Sequence, residues 1–239
     1  MLFLLRKIRR KLLKKTQIAT YLPYAIGEIV LVVAGILIAV QIESNYSALK
    51  ERREELVLLA EMKNNLNQDL IDIDSNIDGI SNIINGHAQL LAHLDNYTPL
   101  TDSLEKAYFR LSAGVFFANN TSAYKALSST GLTSISSDSL RRDITTLYDL
   151  HYPTIQKIEG FIQPFYIKLA DFGLHNMLAD MNAKRSKPKN LASIYKDDYL
   201  KELLKLQVGA LNQQSSTYAY IREAVVDLIR NLDREIKRQ

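Results

Sequence analysis

Asp74, Asn76 and Asp78, followed by Gly79, resemble the opening of a calcium loop, where oxygen ligands recur at every second residue and a glycine permits a sharp turn. The pattern then fails. The position that needs a bidentate Glu is Asn85, and Ser81 stands where an apolar residue belongs. Ile73, Ile77, Ile80 and Ile84 keep helical spacing straight through the stretch, so it reads as the solvated acidic face of a helix, joined by Asp69 and Asp72. His87, His93, His151 and His175 share no metal-ligand spacing, and His87 falls on an apolar stripe as a core or interface residue would. The absence of Cys excludes disulfides, thiolate metal sites and a cysteine nucleophile. No phosphate-cradling glycine loop, His-Glu-x-x-His pair or Gly-x-Ser-x-Gly elbow occurs. Ser128-Ser129 and Ser136-Ser137 are explained by helix capping. Tyr97, Tyr108, Tyr124, Tyr148, Tyr152 and Tyr166 could line a ligand surface, but fit helix packing better. The expectation is a protein that is not an enzyme, with no catalytic, cofactor or metal residues.

The one acid in an unusual setting is Glu28. It interrupts the apolar stretch 22–42, LPYAIGEIVLVVAGILIAVQI. At ~1.5 Å per residue this stretch spans roughly 31 Å, about one hydrocarbon core. The unbroken run 29–40 covers only about 18 Å, so a crossing draws Glu28 into lipid at about 2.5–3.5 kcal/mol. Glu28 reads either as a proton-coupling or helix-pairing acid, or as a residue one turn inside the interface that snorkels out. Gly35 and Ala39, four apart, form a small-x-x-x-small pair that lets helices approach closely. Tyr24 and Tyr46 flank the run as interfacial aromatics do. No small-residue cleavage site comes after it, so it is expected to remain as a signal anchor.

Charge sets the orientation. Lys and Arg number 30 against 26 Asp and Glu, but Arg6, Lys7, Arg9, Arg10, Lys11, Lys14 and Lys15 precede the run with no acid among them. The positive balance therefore reports a short patch suited to lipid headgroups, not a nucleic-acid-binding domain. A basic flank before the span puts the N-terminus in the cytoplasm and the remainder outside, which in a Gram-negative cell is the periplasm. The partners expected are membrane lipid and either further copies of the chain or another membrane protein.

The stretch YAIGEIVLVVAGILIAVQI (24–42), preceded by RKIRRKLL, closely resembles an uncharacterised family of single-pass membrane proteins of Bacteroidota. The stretch AYKALSSTGLTSISSDSLRRDITTLYDL (123–150) resembles that family's second recurring block. The resemblance implies membership and a membrane anchor. It implies no activity, since the family offers no functional residues to carry over. Glu43-Ser44-Asn45-Tyr46 departs from the family's usual exit from the span, though an aromatic is kept.

The elements that must carry these residues are helical. Leu49, Arg52, Leu56, Leu59, Lys63, Leu66, Leu70, Ile73, Ile77, Ile80, Ile84, His87, Leu91 and Leu94 repeat at alternating spacings of three and four, predicting one long helix to about residue 95 unless Asn85-Gly86 breaks it. Leu204, Val208, Leu211, Ser215, Tyr218, Arg222, Val225, Ile229, Leu232 and Ile236 predict a second. Shorter helices are expected after Asp102, over 122–130 and from Ser139, with Pro153 and Pro164 segmenting the helical stretch beyond Ser139 and a basic loop at 184–190. The predicted class is all-α: a basic amphipathic segment (1–20), a transmembrane helix (21–44), a long membrane-proximal coiled-coil stalk (45–98), a distal helical head (99–190) and a C-terminal helix (191–239) packed antiparallel on the stalk. The function expected is oligomerisation and partner binding. A proton-coupling subunit using Glu28 and a ligand-sensing helical domain are the alternatives.

Overall fold

The computed structural model describes residues 18–238; the basic residues Arg6, Lys7, Arg9, Arg10, Lys11, Lys14 and Lys15 lie outside them. Helix α1 runs from Ile18 to Asn96 without interruption. Asn85-Gly86 does not break it. The helix stops where Tyr97 adopts a left-handed φ of 55° and the Thr98 amide donates back to the His93 carbonyl. The chain divides into two compact units, with the boundary between Glu54 and Glu55. In the first, every residue from 26 to 50 is exposed.

The second unit is a bundle whose columns alternate in direction. Helix α2 (Asp102–Phe109) comes after α1 and is capped by Thr101, whose hydroxyl accepts from the Leu104 amide. An irregular stretch leads to α3 (Ser122–Thr130), which ends at Gly131 with φ 97°. Ser137 caps α4 (Asp138–Thr146), a π-helical turn spans Leu147–His151, and α5 runs from Tyr152 to Asn176 straight through Pro164. Pro164 is exposed, so the lost backbone bond faces solvent and the helix survives it. After a reversal come α6 (Leu191–Tyr195) and α7 (Asp198–Ile236).

Three ion pairs fix α7 antiparallel to α1: Lys63 with Asp233, Asp74 with Arg222, and Asp95 with Lys201. Each step up one helix is matched by the same step down the other. All three pairs lie at the rim of the interface, so their value is register more than energy.

The buried stripe differs from the one that hydrophobicity suggests. On α1 the buried stripe is Glu55, Leu59, Met62, Leu66, Asp69, Ile73, Asn76, Ile80, Ile83, His87, Leu90 and Leu94, with His93 buried beside its end. Alternate members agree with expectation. The others sit one residue earlier: Asp69 and Asn76 are inside, while Leu70 and Ile77 are only partly buried. Helix α7 shows the same displacement, with Gln207, Gln214, Ile221 and Leu228 buried in place of Val208, Ser215, Arg222 and Ile229. The seam also starts at Glu55 rather than Leu49, which is 72% exposed. The last turns of α7 lie beside Lys63.

Two further corrections concern the middle of the chain. Residues 99–190 do not form a distal head. They pack along the flanks of α1 and α7, as contacts from Ser103–Gln89 through Asn120–Asp69 to Ser136–Glu55 show. The bundle then has four columns rather than two, around two hydrophobic clusters that both touch Phe165, which is how a helical chain of this size hides its apolar faces. The basic loop at 184–190 is in part a strand: β1 (Met177–Asp180) and β2 (Arg185–Pro188) form an antiparallel hairpin. Asp180 Oδ1 accepts the amides of Asn182 and Ala183, and Lys184 takes a left-handed φ of 51° to complete the turn. Four-residue strands are too short for a period-two pattern to register. The class nevertheless remains all-α, opened by a long apolar helix.

Candidate functional site: a buried polar belt around an extended segment

Residues 113–121 have no regular structure, yet run through the bundle as one of its columns. Val115 and Phe117 turn towards the core while Phe116 is exposed, the period-two alternation of an extended chain. Phe117 packs edge-on against Tyr152 and Tyr218, at ring-centroid distances of 5.0 and 6.3 Å. An extended segment among helices has no neighbouring strand, so its backbone groups need other partners.

Those partners are the polar residues on the buried stripes. Asp69 Oδ1 accepts the Asn120 amide at 2.7 Å, and its other oxygen accepts the Tyr152 hydroxyl at 2.7 Å. Asp72 accepts the Ala118 amide. Glu159, from α5, accepts the Phe117 amide at 2.7 Å and the Tyr218 hydroxyl through the same oxygen. Asn76 and Gln214 donate to the carbonyls of Phe116 and Val115, and the His87 ring meets the Leu111 carbonyl. Further along, Glu55 accepts both the amide and the hydroxyl of Ser136. Every one of these side chains reads backbone, so the belt holds a segment rather than a cofactor. The calcium-like residues are spent in the same way, Asp74 on Arg222 and Asn76 on the belt. No cluster of three or more His, Asp or Glu suited to a metal occurs among the described residues.

Burial sets the electrostatics. It raises the Asp69 carboxyl above its ordinary value, with the Tyr152 and Asn120 hydrogen bonds pulling the other way. It raises Glu159 likewise against the Tyr218 and Phe117 bonds. Burial pushes His87 down to about 4, partly offset by the Leu111 carbonyl, so the ring is neutral. The tyrosines hydrogen-bonded to these acids, Tyr152 and Tyr218, are held firmly protonated by burial and by the neighbouring carboxylates.

Of the residues singled out in the N-terminal helix, Glu28, Gly35, Ala39 and Tyr46 are all exposed on α1, and a Cβ added at Gly35 would meet nothing within 4 Å. Tyr24 lies in α1, but its side chain is outside the described ones. Sequence reasoning missed the belt. A signal for it existed: Asp69 and Asn76 stand seven residues apart beside apolar positions.

The fold thus defines an all-α bundle behind a helix long and apolar enough to cross a membrane. Residues 28–162 match a family of unknown function, DUF6090, and since this is more than half of the chain, the protein belongs to that family. The match takes in most of the apolar run, the belt residues of α1 and the extended segment. No curated protein and no solved structure gives a significant match.

Proposed function

We propose that this protein is a non-enzymatic, single-span inner-membrane protein of a Bacteroidota-type cell, with its N-terminus in the cytoplasm and its bundle in the periplasm, where it oligomerises and binds partner proteins. One observation carries the reading. An 18-residue window of α1 has a mean hydropathy of 2.5 and none of it is buried by the chain. An apolar surface of that length and extent, left uncovered, calls for lipid. The basic cluster before it supports the orientation. Self-association is supported by a stripe that crosses the end of the apolar run: Gly35, Ala39, Ile42, Tyr46 and Leu49 keep alternating spacings of four and three, and all are exposed.

The absence of native Cys makes the test clean. Single-cysteine variants Thr16→Cys and Ser47→Cys, treated in intact spheroplasts with a membrane-impermeant maleimide, should label only at 47. Labelling at 16, or recovery of the protein in the soluble fraction, overturns the topology. Detergent-solubilised protein should run as an oligomer, and a monomer with no copurifying protein would count against the scaffold role.

A second reading uses Glu28 for proton coupling. It is favoured by one fact: the exposed Glu28 carboxylate has no side-chain partner among the described residues. Glu28→Gln should abolish function if the acid titrates. Unchanged assembly and function would remove this reading.

A further inference from the structure

Away from the belt, α1 and α2 border a cleft of about 340 Å³, within the size range of small-molecule sites. Asn82, Asn85 and Gln89, at helical spacing on α1, form one wall; Ser103 and Lys106 on α2, with Arg110 at its C-cap, form the other. The Ser103 hydroxyl donates to Gln89 Oε1 at 2.9 Å and ties the walls together. Lys106 and Arg110 make no ion pair among the described residues, and the acids nearest them on α2, Asp102 and Glu105, are both engaged by Arg185. Two cations one helical turn apart therefore face the cleft uncompensated, beside amides that can both donate and accept.

The lining also includes His87, which is 1% exposed. Its Nε2 lies 3.3 Å from the Leu111 carbonyl. A carbonyl only accepts, so in the neutral ring Nε2 carries the hydrogen and Nδ1 is a bare acceptor. Nδ1 has no hydrogen-bond partner. In this cleft a hydroxyl, unlike a bare anion, can both donate to and accept from the amide wall of Asn82, Asn85 and Gln89.

We propose that this cleft binds a small hydroxylated anion, a sugar acid or sugar phosphate, with the charged group between Lys106 and Arg110 and the hydroxyls on the amide wall. The proposal is independent of whether α1 crosses a membrane. The test is calorimetric titration of the full chain in detergent with glucuronate, glucose 6-phosphate, glucose and inorganic phosphate. Saturable binding of the two sugar anions is expected, at least tenfold tighter than glucose or phosphate. The exposed double variant Lys106→Ala/Arg110→Ala should weaken it tenfold or more with an unchanged circular dichroism spectrum, and Asn85→Leu should weaken it several-fold. A tighter response to an acidic disaccharide than to glucuronate places the natural source in a glycan; an equal response places it in a free solute. The proposal is overturned if neither sugar anion saturates by about 10 mM, the weak end of specific recognition. It is also overturned if phosphate binds as well as they do, or if the double variant binds like the parent.

Discussion

Glu159 receives the Phe117 amide and the Tyr218 hydroxyl on one oxygen, so a glutamine in its place keeps an acceptor for both bonds while removing a buried charge. Glu159→Gln should therefore change stability at pH 7 by less than about 1 kcal/mol. Glu159→Ala leaves two buried donors unpaired and should cost about 2–4 kcal/mol, read from urea midpoints. The pH signature has a definite sign. Because burial raises the Glu159 carboxyl, its contribution is fullest below the ordinary carboxylate value and is lost as pH rises through the raised one; the glutamine variant should lack that slope. His87 behaves in the opposite sense with pH. Its folded value is depressed to about 4, so its stabilising share is present above pH ~6.5 and is lost between there and pH 4, on the order of 2–4 kcal/mol. His87→Gln should flatten that acid limb of the stability curve; an unchanged limb would mean that the ring is not buried neutral.

At the scale of elements, the extended segment decides which residues of the long helices face inward. Leu56, Lys63, Leu70, Ile77, Ile84 and Leu91 are still a more apolar set than Glu55, Met62, Asp69, Asn76, Ile83 and Leu90, so hydrophobicity alone favours the wrong stripe. Asp69 and Asn76 are buried because residues 113–121 bring backbone amides and carbonyls into the core that must be met, and Glu55 because Ser136 does the same. Glycines mark how closely the segment lies. A Cβ on Gly114 would stand 2.8 Å from the Tyr166 ring, so Gly114→Ala should destabilise by about 1–3 kcal/mol. Gly160 in α5 has nothing within 4 Å of such a Cβ, so Gly160→Ala should stabilise by about 0.5–1 kcal/mol. Thermal unfolding of the pair checks both. Equal effects would mean that Gly114 is not pressed against Tyr166.

For the whole molecule, the stripe Gly35, Ala39, Ile42, Tyr46 and Leu49 is exposed throughout, Leu49 at 72%. If that stripe joins copies, Leu49→Glu combined with Gly35→Leu should shift the detergent-solubilised protein to monomer in light scattering, while the bundle's thermal transition stays within a few degrees. Retention of the oligomer would move self-association elsewhere. The three ion pairs that register α7 on α1 are exposed enough that removing one, as in Asp233→Asn, should cost no more than about 1 kcal/mol.

The apolar run, the helical class, the two long helices and the helix ends near Asp102, Ser137 and Gly131 were legible in the residues, because each rests on local periodicity or on hydrogen bonds that close within a turn, though the cap before Asp102 is Thr101. The one-residue displacement of both seams, the belt, the placement of 99–190 along the bundle and the pairing of the hairpin were decided by the tertiary structure. They depend on where an irregular segment leaves its unpaired backbone groups, and that need arises only once distant parts of the chain are packed together.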